Sequence, residues 1–286
     1  MLVLEPGLSD SAIVTTTSTV AGSLPLSYLQ TSQPTDRTRF TDTSSLITIT
    51  IDATAVFAAG IYTSWNYIGW LFNSTISTDT WKLEAASTIS ALSSPSLSMA
   101  GLSAWPSLSL KPYYLRVHSR LYLPTPRTEP VLRLTIDATT NPAGYLDIGR
   151  LYVGLGVDLK TPERYPISIP LPSEMERVVR SEGGQDYPRV SGVEEELQSY
   201  PVIFAGNPSL PTNTARQAKS ALDFYSSIVR IIRLRGSSRD VLIDLAPTDT
   251  TWAMEKIIYG RLVGVTQPQL IAPGVYQVVV SVKGMR

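Results

Sequence analysis

The chain has 286 residues, with 24 basic and 24 acidic side chains, one histidine and no cysteine. Zero formal charge argues against binding to nucleic acid or to an anionic membrane, because both partners require a basic surplus. The lack of cysteine excludes disulfides, thiolate metal sites and cysteine nucleophiles. No run approaches the roughly 20 apolar residues of a transmembrane helix. No basic segment precedes the apolar residues of MLVLEPGLSD, so we expect no signal peptide.

The first 24 residues are rich in serine and threonine, most of all over residues 8–23. This stretch has too little apolar content to fold alone. We therefore expect residues 1–24 to form an extended arm that becomes ordered against another subunit.

A series of strands follows. In SLITITIDA, residues 45–53, three isoleucines alternate with threonine, which predicts a strand with one apolar face. Further strands are predicted at 68–73, 80–86, 113–123 and 131–138, separated by turns rich in Pro, Ser and Gly. Several short strands joined by turns predict a β-sandwich or jelly roll, which we place at residues 25–161.

Five aromatic residues cluster within this region, at Trp65, Tyr67, Trp70, Phe72 and Trp81. Aromatic side chains on a β-sandwich can stack on sugar rings or anchor an interface, and Trp65 and Tyr67 are the candidates for such a patch. The favoured alternative is that the cluster fills the space between two sheets.

The second half of the chain differs from the first because it contains a predicted linker and a predicted helix as well as strands. Residues 162–174 are rich in proline and form the predicted linker. Beyond it, residues 212–236 show apolar side chains at three- and four-residue spacing, which predicts the main helix. Strands are predicted at 240–247, 256–265 and 274–284. The chain is therefore expected to be mainly β, with a smaller α+β domain over residues 175–286.

No catalytic centre is evident. The single histidine, His118, lies on the polar face of a predicted strand, and no GxSxG motif accompanies it. There is no DxDxDG calcium motif and no phosphate-binding glycine loop between a strand and a helix. We therefore expect no enzyme activity, no metal and no cofactor.

Arginines are concentrated at the predicted end of the main helix, at Arg230, Arg233, Arg235 and Arg239. Cations at this position complement the helix dipole, which is the conservative interpretation. The sharper hypothesis is a docking surface for acidic groups, with Arg233, Arg235 and Arg239 facing a neighbouring subunit.

The segment YLDIGRLYVG, residues 145–154, combines apolar strand residues with Asp147, Gly149 and Arg150. Glycine in a strand marks a bulge or a close backbone approach, which would turn Arg150 off the sheet. Asp147 and Arg150 would then pair with each other or with a neighbouring loop. A structural role is favoured over a ligand site.

The longer stretch NPAGYLDIGRLYVG, residues 141–154, resembles a pattern found in structural proteins (tail or minor tail proteins) of tailed-bacteriophage virions. WLFNSTISTDTWKLEAAS at 70–87, YYLRVHS at 113–119 and IIYGRLVGV, with Tyr259-Gly260-Arg261, are similar to further strands of those proteins, in the same order. The resemblance covers most of residues 40–284. It implies an N-terminal jelly roll similar to galactose-binding or discoidin-like modules.

The resemblance also implies a function. The protein would be a non-enzymatic virion component, made in the host cytoplasm and assembled as a symmetric ring in the tail, near its distal end or tip. Its partners would be copies of itself and other virion proteins. The alternatives are a carbohydrate-binding module that attaches to a host surface glycan, and a component of the neck or head–tail connector.

Overall fold

The structure is a computed structural model of the 286-residue chain. It describes residues 2–4, 7–31, 36–76, 78–104, 117–158, 176–180, 186–190, 197–205, 219, 221–226, 228–229, 240–244, 248 and 257–284. The chain forms two compact units. The first comprises Met1–Leu159 with Asp240–Ile258, and the second comprises Lys160–Arg239 with Tyr259–Arg286.

Most described residues belong to antiparallel strands, as predicted for a mainly β chain. The strands are β1 (Leu2–Leu4), β2 (Ile13–Thr16), β3 (Thr38–Phe40), β4 (Ile47–Asp52), β5 (Trp65–Asn73), β6 (Thr80–Ala86), β7 (Leu97–Ser103), β8 (Val117–Arg127), β9 (Val131–Asp137), β10 (Leu146–Ile148), β11 (Arg150–Gly154), β12 (Gly156–Asp158), β13 (Glu176–Arg180), β14 (Asp186–Val190), β15 (Leu197–Ala205), β16 (Asp240–Asp244), β17 (Ile257–Val265), β18 (Gln269–Ala272) and β19 (Val275–Gly284). The described helices are short: α1 (Gly7–Ser11), α2 (Thr54–Ala58), two 3-10 helices (Leu26–Gln30 and Ser90–Ser93), and helical residues at 219, 221–226 and 228–229.

The first unit is a β-sandwich. One layer has the strand order β2-β4-β9-β6-β7, and the other contains the sheet β11-β5-β8 with the pair β10-β3. The alternation predicted for β4 is confirmed, because Ile47, Ile49 and Ile51 are buried while the threonines between them are half-exposed. These isoleucines share one apolar core with residues of the facing layer such as Trp70 and Leu151. Each large apolar side chain buried in this way stabilises the fold by about 1.5–3 kcal/mol.

The N-terminal segment does not match the arm predicted for residues 1–24. Strand β1 pairs with both β12 and β16, and β2 pairs with β4 along the edge of the sandwich. Leu8 of α1 is fully buried in the apolar core. A few apolar residues among the serines and threonines suffice to anchor the segment, and threonine is itself a good strand former.

The predicted boundary at residue 175 also differs from the structure. Residues 240–258 group with the first unit rather than with the rest of the C-terminal half. The cause is the pairing of β16 with β1, which places Leu2 opposite Asp244. Such a pairing joins strands that are far apart in the sequence and leaves no local signal. The predicted linker, residues 162–174, lies outside the described residues.

In the second unit, β15 pairs with β19 over nine residues, and β17 and β18 also pair with β19. Strands β13 and β14 form an antiparallel hairpin. In the helical segment, Ala221 and Ile228 are buried, as the predicted apolar stripe requires. Leu222, which was assigned to the same stripe, is 53% exposed.

Candidate functional site

The predicted motif Asp147-Gly149-Arg150 lies where the chain changes its strand partner. Asp147 belongs to β10, which pairs with β3, and Arg150 begins β11, which pairs with β5. Gly149 stands between them and donates its backbone N–H to Leu71 O at 3.1 Å. Asp147 and Arg150 have separate partners and do not pair with each other.

Arg150 connects distant parts of the first unit. Its side chain is 1% exposed and lies 2.7 Å from Asp10 and 3.1 Å from Asp240, measured from guanidinium nitrogen to carboxylate oxygen. Asp10 belongs to α1 and Asp240 to β16, so one arginine holds both segments against the sandwich. This use is structural, because the buried guanidinium is out of reach of a ligand.

Tyr67 and Trp65, the predicted surface patch, are fully buried. The Tyr67 hydroxyl lies 3.3 Å from the Asp244 carboxylate, which also pairs with Arg120 at 3.0 Å. Burial, and then the charge of Asp244, raise the pKa of Tyr67 well above its usual value, so its hydroxyl remains a hydrogen-bond donor. Trp65 donates its indole N–H to Glu129 O at 2.8 Å. Neither side chain is available to a ligand at the surface.

The other tryptophans of the aromatic cluster also belong to the core. Trp70 and Trp81 are buried and pack edge to face, with ring centroids 4.5 Å apart. The favoured alternative, that the cluster fills the space between the two sheets, is therefore what the structure shows for Trp65, Trp70 and Trp81. The side chain of Phe72 lies outside the described residues.

Several sequence-predicted features lie beyond what the structure describes. Arg233, Arg235 and Arg239 fall outside the described residues, as does the His118 side chain. Within the described ranges, no three His, Cys, Asp or Glu side chains are grouped so as to hold a metal ion. No helix in those ranges is long and apolar enough to cross a membrane.

Glu84 and Asp79 of the sandwich have pKa values shifted in opposite directions. Burial opposes the ionisation of Glu84, but hydrogen bonds from Arg133 at 2.8 Å and Lys82 at 2.7 Å outweigh it and lower the pKa of Glu84. Burial raises the pKa of Asp79, which is 1% exposed, against the opposing hydrogen bond from the Ile76 N–H. Glu84 and Asp79 have different hydrogen-bond partners and do not form an acid–base pair with each other.

The candidate site is a surface cluster of Arg37, Arg39, Tyr145 and Asp147, which we call the Arg–Tyr cluster. Arg39 holds Asp147 with two parallel hydrogen bonds, from Nε to Oδ1 and from Nη2 to Oδ2, both 2.8 Å long. The Arg39 guanidinium carbon lies 4.0 Å from the centre of the Tyr145 ring. Arg37 Nη1 is 3.9 Å from Asp147 Oδ2. Two guanidinium groups thus share a single carboxylate, and that of Arg39 also lies over an aromatic ring.

The polar groups of the Arg–Tyr cluster differ in their access to solvent. The Asp147 side chain is 5% exposed, whereas those of Arg37 and Arg39 are 41% and 36% exposed. The hydrogen bond to Asp147, followed by the charge of that carboxylate, raises the pKa of Arg39, with burial acting in the opposite direction. The cluster therefore presents partly exposed N–H groups of two arginines next to a buried carboxylate that already accepts two hydrogen bonds from Arg39.

The backbone around the Arg–Tyr cluster is held by interactions within the sandwich. Asp147 and Ser74 are linked twice, by Ser74 N–H to Asp147 O at 3.0 Å and by Asp147 N–H to Ser74 Oγ at 2.9 Å. Arg39 donates its backbone N–H to Leu24 O at 3.2 Å. These bonds fix β3 and β10, so the side chains start from defined positions.

Sequence reasoning identified Asp147 but missed Arg37, Arg39 and Tyr145 as its neighbours. Asp147 and Arg39 are 108 positions apart, and no motif spacing joins them. One signal was present: Arg37 and Arg39 are two of only three basic residues in the first 110. An isolated pair of arginines in a charge-poor region marks a position worth testing.

The first half of the chain is distantly similar in structure to carbohydrate-binding modules. One such module, CpGH89CBM32-6 of Clostridium perfringens, covers 52% of this chain and 98% of its own, with 11% identity and a TM-score of 0.35. Chitosan-binding module 1 from the chitosanase/glucanase of Paenibacillus sp. IK-5 covers 51% and 96%, with 11% identity and a TM-score of 0.35. CpGH89CBM32-4, from C. perfringens in complex with GlcNAc-alpha-1,4-galactose, covers 53% and 94%, with 10% identity and a TM-score of 0.34.

Likenesses of this size establish no ligand and no activity for this chain. No protein-family model matches the sequence, and no curated protein matches it. The resemblance to tailed-bacteriophage virion proteins is not among these findings, and it stays a prediction.

Proposed function

We propose that the first unit is a non-catalytic carbohydrate-binding module whose sugar site is the Arg–Tyr cluster. The observation that carries the proposal is the half-exposed guanidinium of Arg39, fixed by Asp147 and stacked on Tyr145. Sugars offer hydroxyl oxygens in fixed directions and apolar C–H faces. The N–H groups of Arg39 and Arg37 that Asp147 does not use suit the hydroxyls, and an aromatic side chain supplies apolar contact beside them.

The loss of side-chain conformational entropy on binding at this surface is small for Arg39. Most of the freedom that Arg39 would lose on contact with a sugar has already been lost to its ion pair with Asp147, so little further ordering is needed. In this proposal the module attaches the protein to a glycan on a host surface. Catalysis has no part in it.

The test is binding of the full chain to a glycan array. The full chain is required because β16, residues 240–244, completes the first unit. Tyr145→Ala and Arg37→Ala should each abolish the signal of the wild-type protein.

Arg127→Ala is the matched control, since Arg127 is 31% exposed, pairs with Glu129 and ends β8 opposite Trp65, the first residue of β5. It should bind as the wild type does. Wild-type protein that binds no glycan, or cluster variants that bind normally, would contradict the proposal.

A virion structural protein is the second candidate function, and the sequence resemblance is its main support. The arginine of the resembling motif, Arg150, is buried between two segments distant in sequence. The motif that carries the resemblance therefore has a structural use in this chain, which is compatible with a structural protein. In this proposal copies of the chain form a closed ring in the tail, or at the neck or connector, within the virion.

Sedimentation and negative-stain microscopy of the purified full chain test the second candidate. A discrete ring-shaped oligomer is expected, and charge reversal of Arg235 and Arg239 to glutamate should reduce its fraction. A monomer at all concentrations, for both wild type and variant, would argue against ring assembly by this chain alone.

A further inference from the structure

We propose that the glycan bound by the Arg–Tyr cluster carries a carboxylate, as uronic and sialic acids do. This inference rests on the carbohydrate-binding function proposed above and names the class of sugar. It follows from the balance of donors and acceptors at the surface of the cluster.

The single carboxylate of the cluster is already used. Both Asp147 oxygens accept hydrogen bonds from Arg39, and the side chain is 5% exposed. A sugar hydroxyl that needs an acceptor therefore finds none on Asp147. Neutral sugars are commonly held through such acceptors as well as donors, because each hydroxyl both donates and accepts.

The donors, in contrast, exceed the acceptors. The two bonds to Asp147 use Nε and Nη2 of Arg39, and its Nη1 has no hydrogen-bond partner among the described residues. The Arg37 side chain is 41% exposed. Among the described residues its one ion-pair partner is Asp147, at 3.9 Å from Nη1 to Oδ2. This separation is too long for a hydrogen bond. A ligand with a planar, charged, two-oxygen acceptor matches these N–H groups.

Net charge does not drive this recognition. Asp36 precedes Arg37 in the sequence, so Asp36, Arg37, Arg39 and Asp147 carry two negative and two positive charges. Long-range attraction of anions is consequently weak. Selectivity for a carboxylate must then come from short-range contact, with Arg39 Nη1 held in a fixed direction by the bonds of Arg39 to Asp147.

The decisive experiment is calorimetric titration of the full chain with pairs of sugars that differ in charge. Suitable probes are oligosaccharides ending in glucuronate, galacturonate or N-acetylneuraminate, each compared with its methyl ester. The ester keeps the ring and every hydroxyl, removes the negative charge and adds one methyl group. At least one acid should bind about tenfold more tightly than its own ester, because a charge-assisted bidentate pair is stronger than a neutral one.

Arg37→Gln should remove this preference and bring the acid down to the affinity of the ester. Arg127→Gln, a matched loss of one exposed arginine, should retain the preference. If an acid and its ester bind equally well to wild type, the inference is wrong while the carbohydrate-binding function stands. If no probe binds and the glycan array is also empty, the proposed function itself is wrong.

Discussion

Replacement of Arg150 by methionine should destabilise the first unit by about 3–5 kcal/mol. Arg150 is 1% exposed and its partner Asp240 is 3% exposed, so loss of the arginine leaves a buried carboxylate without its counter-charge. Asp10 is 17% exposed and can regain water, so most of the cost falls on Asp240. Methionine retains the length of the apolar stem, which isolates the electrostatic effect.

For a unit of this size the loss corresponds to a drop in melting temperature of about 6–20 °C. Thermal unfolding followed by near-ultraviolet circular dichroism, which reports the packed tryptophans, measures it. Arg127→Met removes a more exposed arginine and should cost less than about 1 kcal/mol.

A double variant sharpens the reasoning. Arg150→Met combined with Asp240→Leu removes both buried charges and should recover much of the lost stability, because an apolar pair can replace a buried ion pair at little cost. If Arg150→Met melts within about 2 °C of wild type, well under the shift worked out above, the ion pairs do not hold α1 and β16 to the sandwich.

The remaining predictions concern the sandwich. Gly69→Ala should lower the free energy of unfolding in chemical denaturation by about 1–3 kcal/mol, because a Cβ there would lie 2.8 Å from Ser119 O. A Cβ at Gly22 meets no atom within 4 Å, so Gly22→Ala should cost much less. Equal losses of stability in the two variants would refute the steric cause. Glu84→Gln should lose stability relative to wild type as pH rises from about 3 to 7. The lowered pKa of Glu84 contributes stability to the wild type above the pKa of the unfolded state, about 4.3, and this contribution is lost as pH falls through the pKa of the folded state. Asp79→Asn should show the opposite trend over the same pH series, because a raised carboxyl pKa costs stability once pH exceeds the unfolded value of about 3.9. A difference from wild type that stays constant with pH would contradict either assignment.

The sandwich could be predicted from sequence because its strands carry their own pattern. In β4, three isoleucines alternate with threonines, and the period of two fixes which face is buried. The order in which the strands pair is less local, because β4 pairs with β9 and β5 with β11. The sequence predicts a strand at 240–247 but not its partner, since β16 pairs with β1 near the start of the chain.

The candidate site was only partly visible in the sequence for a similar reason. Asp147 belongs to a conspicuous motif, but its role depends on Arg39, which comes from a strand 108 positions earlier. The tryptophans follow the favoured interpretation, which places them in the core. Their chemistry suits sugar binding, yet a large apolar side chain gains more from burial, and Trp65 is fully enclosed.

A crystal of the full chain soaked with the sugar that binds best on the array tests the proposed sugar site most directly. Ligand density is expected against Tyr145, with sugar oxygens within hydrogen-bond distance of the Arg37 and Arg39 guanidinium groups. Density at any other surface, with the Arg–Tyr cluster left unchanged and free of ligand, would contradict the proposed site.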